Sequence, residues 1–411
     1  MVSVHEFVAP EPDEEPSGDL AVMLTGGGAR AAYQVGLLRG LARHFPTVHF
    51  QIVTGVSAGA INAAFLAANG GSLQQKVDRL TDLWRVLECD RVFRPNYASL
   101  LPFRRRGMHG LFGSEPLAAL LGEILHCPAR NAPIEGIREN LRHGTLEAVS
   151  LLTLDYSTGQ TVRWIQGRAF DHFDGPNRRS ALTEITIEHI LASTALPFVF
   201  PAVRIGDRWH GDGGIRLSAP LSPALHLGAT RVLAMSTGYQ PAACEANGPV
   251  VRGYPPAAQI LGQLVNAVFL DAIDEDVVRM ERINEMIRRL PPAERDGLKP
   301  IDLFVLRPSR DLARLAAGYQ RLLPRSMRLF IRALGGYETE SSDFLSLLMF
   351  DPSYLRLLIE IGEEDVEARV GELGEFLWSA AAMPPPRERS HGGRTSDHSS
   401  VPRKITSATV K

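Results

Sequence analysis

The chain has 411 residues with a formal net charge of −2, and 45% of its residues are hydrophobic. That length suffices for a large buried core in one to three domains, and the near-neutral balance excludes bulk electrostatic attraction to nucleic acid. Three cysteines, Cys89, Cys127 and Cys244, show neither paired spacing nor a Cys/His ligand pattern, which argues against structural zinc and fits a reducing compartment.

Residues 1–19 carry Glu11, Asp13, Glu14 and Glu15 and lack a basic stretch followed by an apolar core. They read as a disordered acidic leader, not a secretory signal. The longest apolar runs, Ile61 to Ala68 and Val199 to Ala202, are too short to span a bilayer. The expectation is a soluble, cytoplasmic chain able to rest on a membrane surface as a peripheral protein.

Ala21 to Thr25 is a short strand ending in Gly26-Gly27-Gly28-Ala29-Arg30, and Ala31 to Leu41 then repeats apolar residues at helical spacing. Glycines at a helix start leave backbone N–H groups uncovered, which makes an anion cradle. A dinucleotide site would use such a cradle for pyrophosphate, with glycine at a third position and an acid ending the second strand. Here Ala31 fills the third position, and the second strand, Phe50 to Thr54, ends without an acid. The other use is an oxyanion hole for acyl transfer, favoured by the serine after the second strand. Arg30 either supports that anion or stands exposed in the first turn.

Thr54-Gly55-Val56-Ser57-Ala58-Gly59-Ala60 joins the second strand to an apolar, Ala-rich helix reaching Ala68. Strand, tight turn and helix around G-x-S-x-G form a nucleophile elbow. Its flanking residues must be small, because a Cβ there would collide with the adjacent strand or helix. Ser57 is the candidate nucleophile. Leu73 to Leu87 reads as an amphipathic helix. In Asp90 to Gly113, Leu100-Leu101-Pro102-Phe103 precede Arg104-Arg105-Arg106, which fits either a solvated loop or a flap on anionic head groups. Glu115 to Leu125 and Pro133 to His143 read as surface helices, and Leu146 to Asp155 with Gln160 to Gln166 as a strand pair around a tight turn.

After a polar loop, the helix Ile187 to Thr194 leads through Ala195-Leu196-Pro197-Phe198-Val199-Phe200-Pro201 to Arg208-Trp209-His210-Gly211-Asp212-Gly213-Gly214. An aspartate among glycines can approach another backbone closely, although Asp and Gly also dominate ordinary surface turns. Arg231 to Ser236 reads as a buried strand, and Gly238 to Pro256 as a flexible connection. Ala257 to Leu290 is a long helical region with one buried face through Val277, Met280, Ile283, Ile287 and Leu290. Ile301 to Leu306 closes the strands. Residues 307–382 read as a helical C-terminal cap and 383–411 as a disordered tail.

The glycine turn at 26–30, the serine turn at 55–59 and the Asp212-Gly213-Gly214 turn, with the Ala192-Ser193-Thr194-Ala195-Leu196-Pro197 approach, together resemble the bacterial type of the patatin-like phospholipase family. The resemblance covers about Leu20 to Ser236. It implies a three-layer α/β/α catalytic domain over 20–236 with a mostly parallel central sheet; the long helix and last strand read over 237–306 extend that domain. It implies Ser57 as nucleophile, Asp212 as its base without a histidine, and Gly26, Gly27, Gly28 and Arg30 as the oxyanion hole. Gly55, Gly59, Gly213 and Gly214 are the remaining motif residues, and neither metal nor cofactor is implied. The implied activity is hydrolysis of a phospholipid or other acyl lipid through an acyl-enzyme. An acyltransferase using the same acyl-enzyme and a non-catalytic lipid-binding module stay open as alternatives. Ala31 stands where the family often has glycine, which bears on substrate size. The rival base is a histidine, with His210 and His226 the candidates in an α/β-hydrolase order.

Overall fold

A computed structural model describes residues 19–95, 110–167, 174–241, 245, 257–269, 271–325, 327–328 and 343–378. The leader, the Leu100 to Arg106 segment, most of the Gly238 to Pro256 connection and the tail lie outside the described residues. Strand β1 (Leu20–Leu24) leads through the glycine turn into α1 (Ala31–His44), and β2 (Ile52–Val56) through the serine turn into α2 (Ala58–Ala68). Next come α3 (Leu73–Arg85), α4 (Cys89–Val92), the short pair β3 (Arg94–Pro95) and β4 (Phe112–Gly113), α5 (Glu115–Ile124) and α6 (Glu135–His143). Strands β5 (Ala148–Asp155), β6 (Thr161–Gly167) and β7 (Arg178–Leu182) precede α7 (Ile187–Ser193), β8 (Val203–Ile205), β9 (Arg208–Asp212), α8 (Ser222–His226) and β10 (Arg231–Met235). The described chain ends with α9 (Ala257–Phe269), α10 (Ala272–Arg289), β11 (Asp302–Leu306), α11 (Leu312–Ala317), α12 (Asp343–Leu348), α13 (Pro352–Glu367) and α14 (Val370–Trp378).

The main sheet runs β11-β10-β1-β2-β5-β6-β7, with β9 also paired to β5 and β8 to β9. From β11 to β5 every pair is parallel, and β6 turns back antiparallel on β5. Successive side chains on a strand point to opposite faces, and the sheet buries both. Leu20, Val22 and Leu24 enter one core with α1, α2 and α13, while Ala21 and Met23 enter a second with Leu221, Ala224, Ile273 and Met280 from the α8 and α10 side. Helices thus cover both faces, giving three layers. Such two-sided burial is why these strands read as continuous apolar runs without alternation.

Two sequence expectations change. The helical region from Ala257 is two helices, and the buried face of α10 passes through Ile273, Asp276, Met280, Asn284 and Ile287, while Ile283 and Leu290 are exposed. Asn284 tolerates burial because its amide closes both hydrogen bonds on Ile301, at 2.8 and 2.9 Å. Strand β7 also forms inside what reads as a polar loop, parallel to β6.

In the C-terminal region, α13 lies directly along α1. A Cβ on Gly36 would come within 2.1 Å of the Ile359 carbonyl oxygen, and one on Gly362 within 2.4 Å of that of Tyr33. The Tyr33 hydroxyl donates to Asp365 at 2.8 Å in the same seam. Among the described residues no helix is long and apolar enough to cross a membrane. Gly36→Val should cost roughly 3 kcal/mol by forcing α13 off α1, read as a lower urea midpoint at unchanged slope.

Candidate functional site

The register on one strand brings the motif residues together. β2 pairs with β5 as far as Val56 opposite Leu152. One position further along β5 the pairing with antiparallel β9 begins, with Asp212, the last residue of β9, opposite Thr153. Ser57 directly follows Val56, so the end of β2 and the end of β9 face each other along β5 and carry the serine and the aspartate to the same place.

The elbow holds Ser57 at φ 55° and ψ −134°, a backbone state that costs a residue with a side chain about 1–3 kcal/mol. The surroundings fix it. The Ser57 N–H donates to the buried Ser193 Oγ at 3.0 Å, and the Ala60 N–H donates to the Ser57 carbonyl at 2.9 Å. Gly59 has no room for a side chain, since a Cβ would sit 2.3 Å from the Leu24 carbonyl oxygen. Helix α2 can therefore start against the end of β1, with the positive end of its dipole beside Ser57.

Asp212 is fully buried. Its Oδ1 accepts from the Gly214 N–H at 2.9 Å, and its Oδ2 has no partner of full hydrogen-bond geometry. Burial pushes its pKa up to about 7, against the opposing pull of the Ser57 hydroxyl and the Gly214 N–H. No cation is among these influences, so the desolvation cost stands largely uncompensated.

The glycine turn lines the same cleft as Ser57. Gly27 and Gly28 have φ 150° and 55°, and the first bond of the following helical turn runs from the Arg30 N–H to the Gly27 carbonyl at 3.0 Å. The N–H groups of Gly27 and Gly28 precede that bond, where a helix start leaves donors without helical acceptors. Arg30 takes a different place from the one its position suggests. Its side chain is 3% exposed and ion-paired to Asp343 at 2.6 Å, so it is neither a solvent-exposed arginine nor part of the cleft wall.

An apolar cleft opens beside Gly27, Gly28 and Ser57 and is walled by Trp84, Leu121, Phe200, Leu348 and Phe350 among others. A buried polar chain anchors the Trp84 wall. Its indole N–H donates to Asn62 Oδ1 at 2.9 Å, Asn62 Nδ2 donates to Gln34 Oε1 at 3.1 Å, and Gln34 Nε2 donates to the Thr25 and Met235 carbonyls at 2.9 and 3.1 Å.

Neither candidate histidine joins this arrangement through the contacts described. His210 Nδ1 lies 3.1 Å from Thr153 Oγ1, its ring packs on Trp164, and burial lowers its pKa. His226 sits on α8, whose Ala224 belongs to the core on the opposite face of the sheet. Among the described residues no group of three His, Cys, Asp or Glu side chains is arranged to hold a metal ion. Sequence reasoning missed Ser193 as the acceptor for the elbow amide, although it lies in the quoted approach segment. It also missed the C-terminal wall at Leu347, Leu348 and Phe350, for which no motif gives a signal.

A carboxyl whose folded-state pKa is raised binds its proton more tightly folded than unfolded, so stability falls as pH rises from the ordinary carboxyl value toward about 7. Asp212→Asn removes that penalty. Its stability advantage over wild type should grow from pH 4 to 7 and then level off at about 4 kcal/mol, measured by urea unfolding across that range.

The patatin-like phospholipase family matches residues 22–225. Over 208 residues the chain is 27% identical to calcium-independent phospholipase A2-gamma of Mus musculus and 28% identical to that of Rattus norvegicus, covering 49% of this chain and 25% of each relative. The chain therefore spans about a quarter of the length of the curated relatives it matches. Human GIVD cytosolic phospholipase A2 in complex with methyl gamma-linolenyl fluorophosphonate aligns with a TM-score of 0.44 at 12% identity, covering 89% of this chain and 60% of that one. The matched segment carries the glycine turn, the serine elbow and the aspartate turn in order, and residues 22–225 carry a patatin-like phospholipase domain.

Proposed function

We propose that the chain is a serine lipid acyl hydrolase in which Ser57 is the nucleophile and Asp212 its base. The observation that carries this reading is a serine on a strained elbow, brought by the strand register beside a buried carboxyl whose pKa is pushed up to about 7. A serine is a weak nucleophile without a positioned base, and a base works best when its pKa lies near the working pH.

In the proposed cycle Asp212 takes the Ser57 hydroxyl proton as Oγ attacks the ester carbonyl. The oxygen that becomes negative is held by N–H groups of Gly27 and Gly28 and by the start of α2. The Ser57 N–H is already engaged by Ser193, so the glycine turn carries this task. The tetrahedral intermediate collapses, the C–O bond to the alcohol breaks, and Asp212 returns its proton to the leaving alkoxide. Water then gives a proton to Asp212 while its oxygen attacks the acyl-enzyme, and release of the fatty acid restores both side chains. Hydrogen bonds of this kind are often loose without substrate and tighten on binding, consistent with the partnerless Asp212 Oδ2.

The apolar lining of the cleft suits the hydrocarbon part of an acyl ester. The relatives, named as phospholipases A2, support a phospholipid as the substrate class, met at a membrane surface. Ser57→Ala should abolish both turnover of a chromogenic fatty ester and labelling by a fluorophosphonate probe, located by mass spectrometry; retained turnover removes the mechanism. Asp212→Asn should lower kcat by roughly 10³-fold. Because the base acts deprotonated, wild-type kcat/KM should fall about tenfold per pH unit below about pH 7. Product analysis with and without added lysolipid separates hydrolysis from acyl transfer.

A further inference from the structure

The cleft wall formed by Leu347, Leu348 and Phe350 lies outside the family segment 22–225, and it is joined to the glycine turn through one cation. Arg30 Nε donates to Ser346 Oγ at 2.7 Å, and Arg30 Nη2 donates to Asp343 Oδ1 at 2.6 Å and to the Asp343 carbonyl at 3.2 Å. The Ser346 hydroxyl donates onward to the Asp343 carbonyl at 2.7 Å. Asp343 Oδ2 accepts from Asn266 Nδ2 of α9 at 2.8 Å. One guanidinium thus ties the glycine turn to α12, and through Asp343 to α9.

The backbones meet as closely as the side chains. The Leu347 carbonyl oxygen presses on Gly28 so tightly that a Cβ there would lie 2.2 Å away. With its charge already matched by Asp343, Arg30 cannot turn to a developing oxyanion without leaving that carboxylate unpaired in a site 16% exposed. What Arg30 can do is set the angle of the turn that carries the Gly27 and Gly28 amides.

We propose that Arg30 is a positioning residue: the Arg30–Asp343–Ser346 latch aims the Gly27 and Gly28 N–H groups at the reacting oxygen, which makes residues 343–350 part of the catalytic unit. The inference rests on the hydrolase reading above. Misaiming oxyanion donors costs turnover and leaves ground-state binding unchanged, since the donors act chiefly in the transition state.

The test uses the full chain in two variants. Arg30→Met with Asp343→Leu replaces the buried pair by apolar groups of similar volume, an exchange that often leaves stability intact; Ser346→Ala removes a single neutral acceptor. Thermal midpoint, the rate of fluorophosphonate labelling at Ser57, and kcat and KM on a medium-chain nitrophenyl ester are measured for both. The double variant should lose about 100-fold in kcat and the alanine variant about 5-fold, with KM within about twofold and labelling slowed in parallel. Wild-type labelling and turnover in the double variant overturn the proposal, as does a raised KM at unchanged kcat. If the double variant does not fold, Ser346→Ala decides, and an unchanged kcat sinks the latch. Unlabelled Ser57 in the wild type removes the hydrolase reading and the latch with it, whereas labelled wild type beside unaffected variants removes the latch alone.

Discussion

A β-strand has two edges, and each stretch of an edge can hold one partner. On β5 the edge facing β2 is shared end to end, with β2 holding it up to Leu152 and β9 taking it over at Thr153. The rest of the site depends on that handover. Ser57 must leave the sheet at the junction because the next place along β5 is taken, and the departure forces the sharp turn that holds it at positive φ. Asp212 must arrive there because β9 runs the opposite way. Two residues far apart in the sequence become neighbours through main-chain hydrogen bonding alone.

The same strand shows how environment alone sets the state of a carboxyl. Asp155 of β5 is as inaccessible as Asp212. Burial by itself would raise its pKa, yet Arg208 at 2.9 Å and the Ser157 N–H at 2.8 Å help to hold it down at about 2. Asp212, with one backbone donor and a serine hydroxyl, rises to about 7. The first is a fixed anion, and the second can exchange its proton near neutrality. Pushing such values apart is how a fold separates structural acids from working ones.

How much of this was legible in the sequence follows from the range of the forces involved. The strand-turn-helix units at Gly26 and Ser57 are local, and their small residues record contacts a few positions away, as Gly59 against Leu24 illustrates. The three-layer arrangement and the mostly parallel sheet followed from the family resemblance, whereas the order of the strands did not. Asn284 broke the apolar period of α10 because a polar side chain paired at both ends of its amide can be buried as an apolar one is. The partner of Arg30 was invisible for a different reason: Asp343 lies more than three hundred residues away and carries no motif. Arginine at a helix start reads equally as a solvated charge, an anion receptor or half of an ion pair, and tertiary contact alone separates the three.

The polar chain from Trp84 through Asn62 and Gln34 to the carbonyls closing β1 and β10 has a consequence for how the cleft meets its ligand. Every member is buried and each donor named has a named acceptor, so the indole cannot swing aside without stranding a donor in an apolar interior. That side of the cleft is a mould and not a cushion. On the acyl hydrolase reading proposed above, a hydrocarbon tail entering it would bend to the contour it finds, and discrimination between saturated, kinked and branched tails would fall to the shape of a fixed aromatic plane.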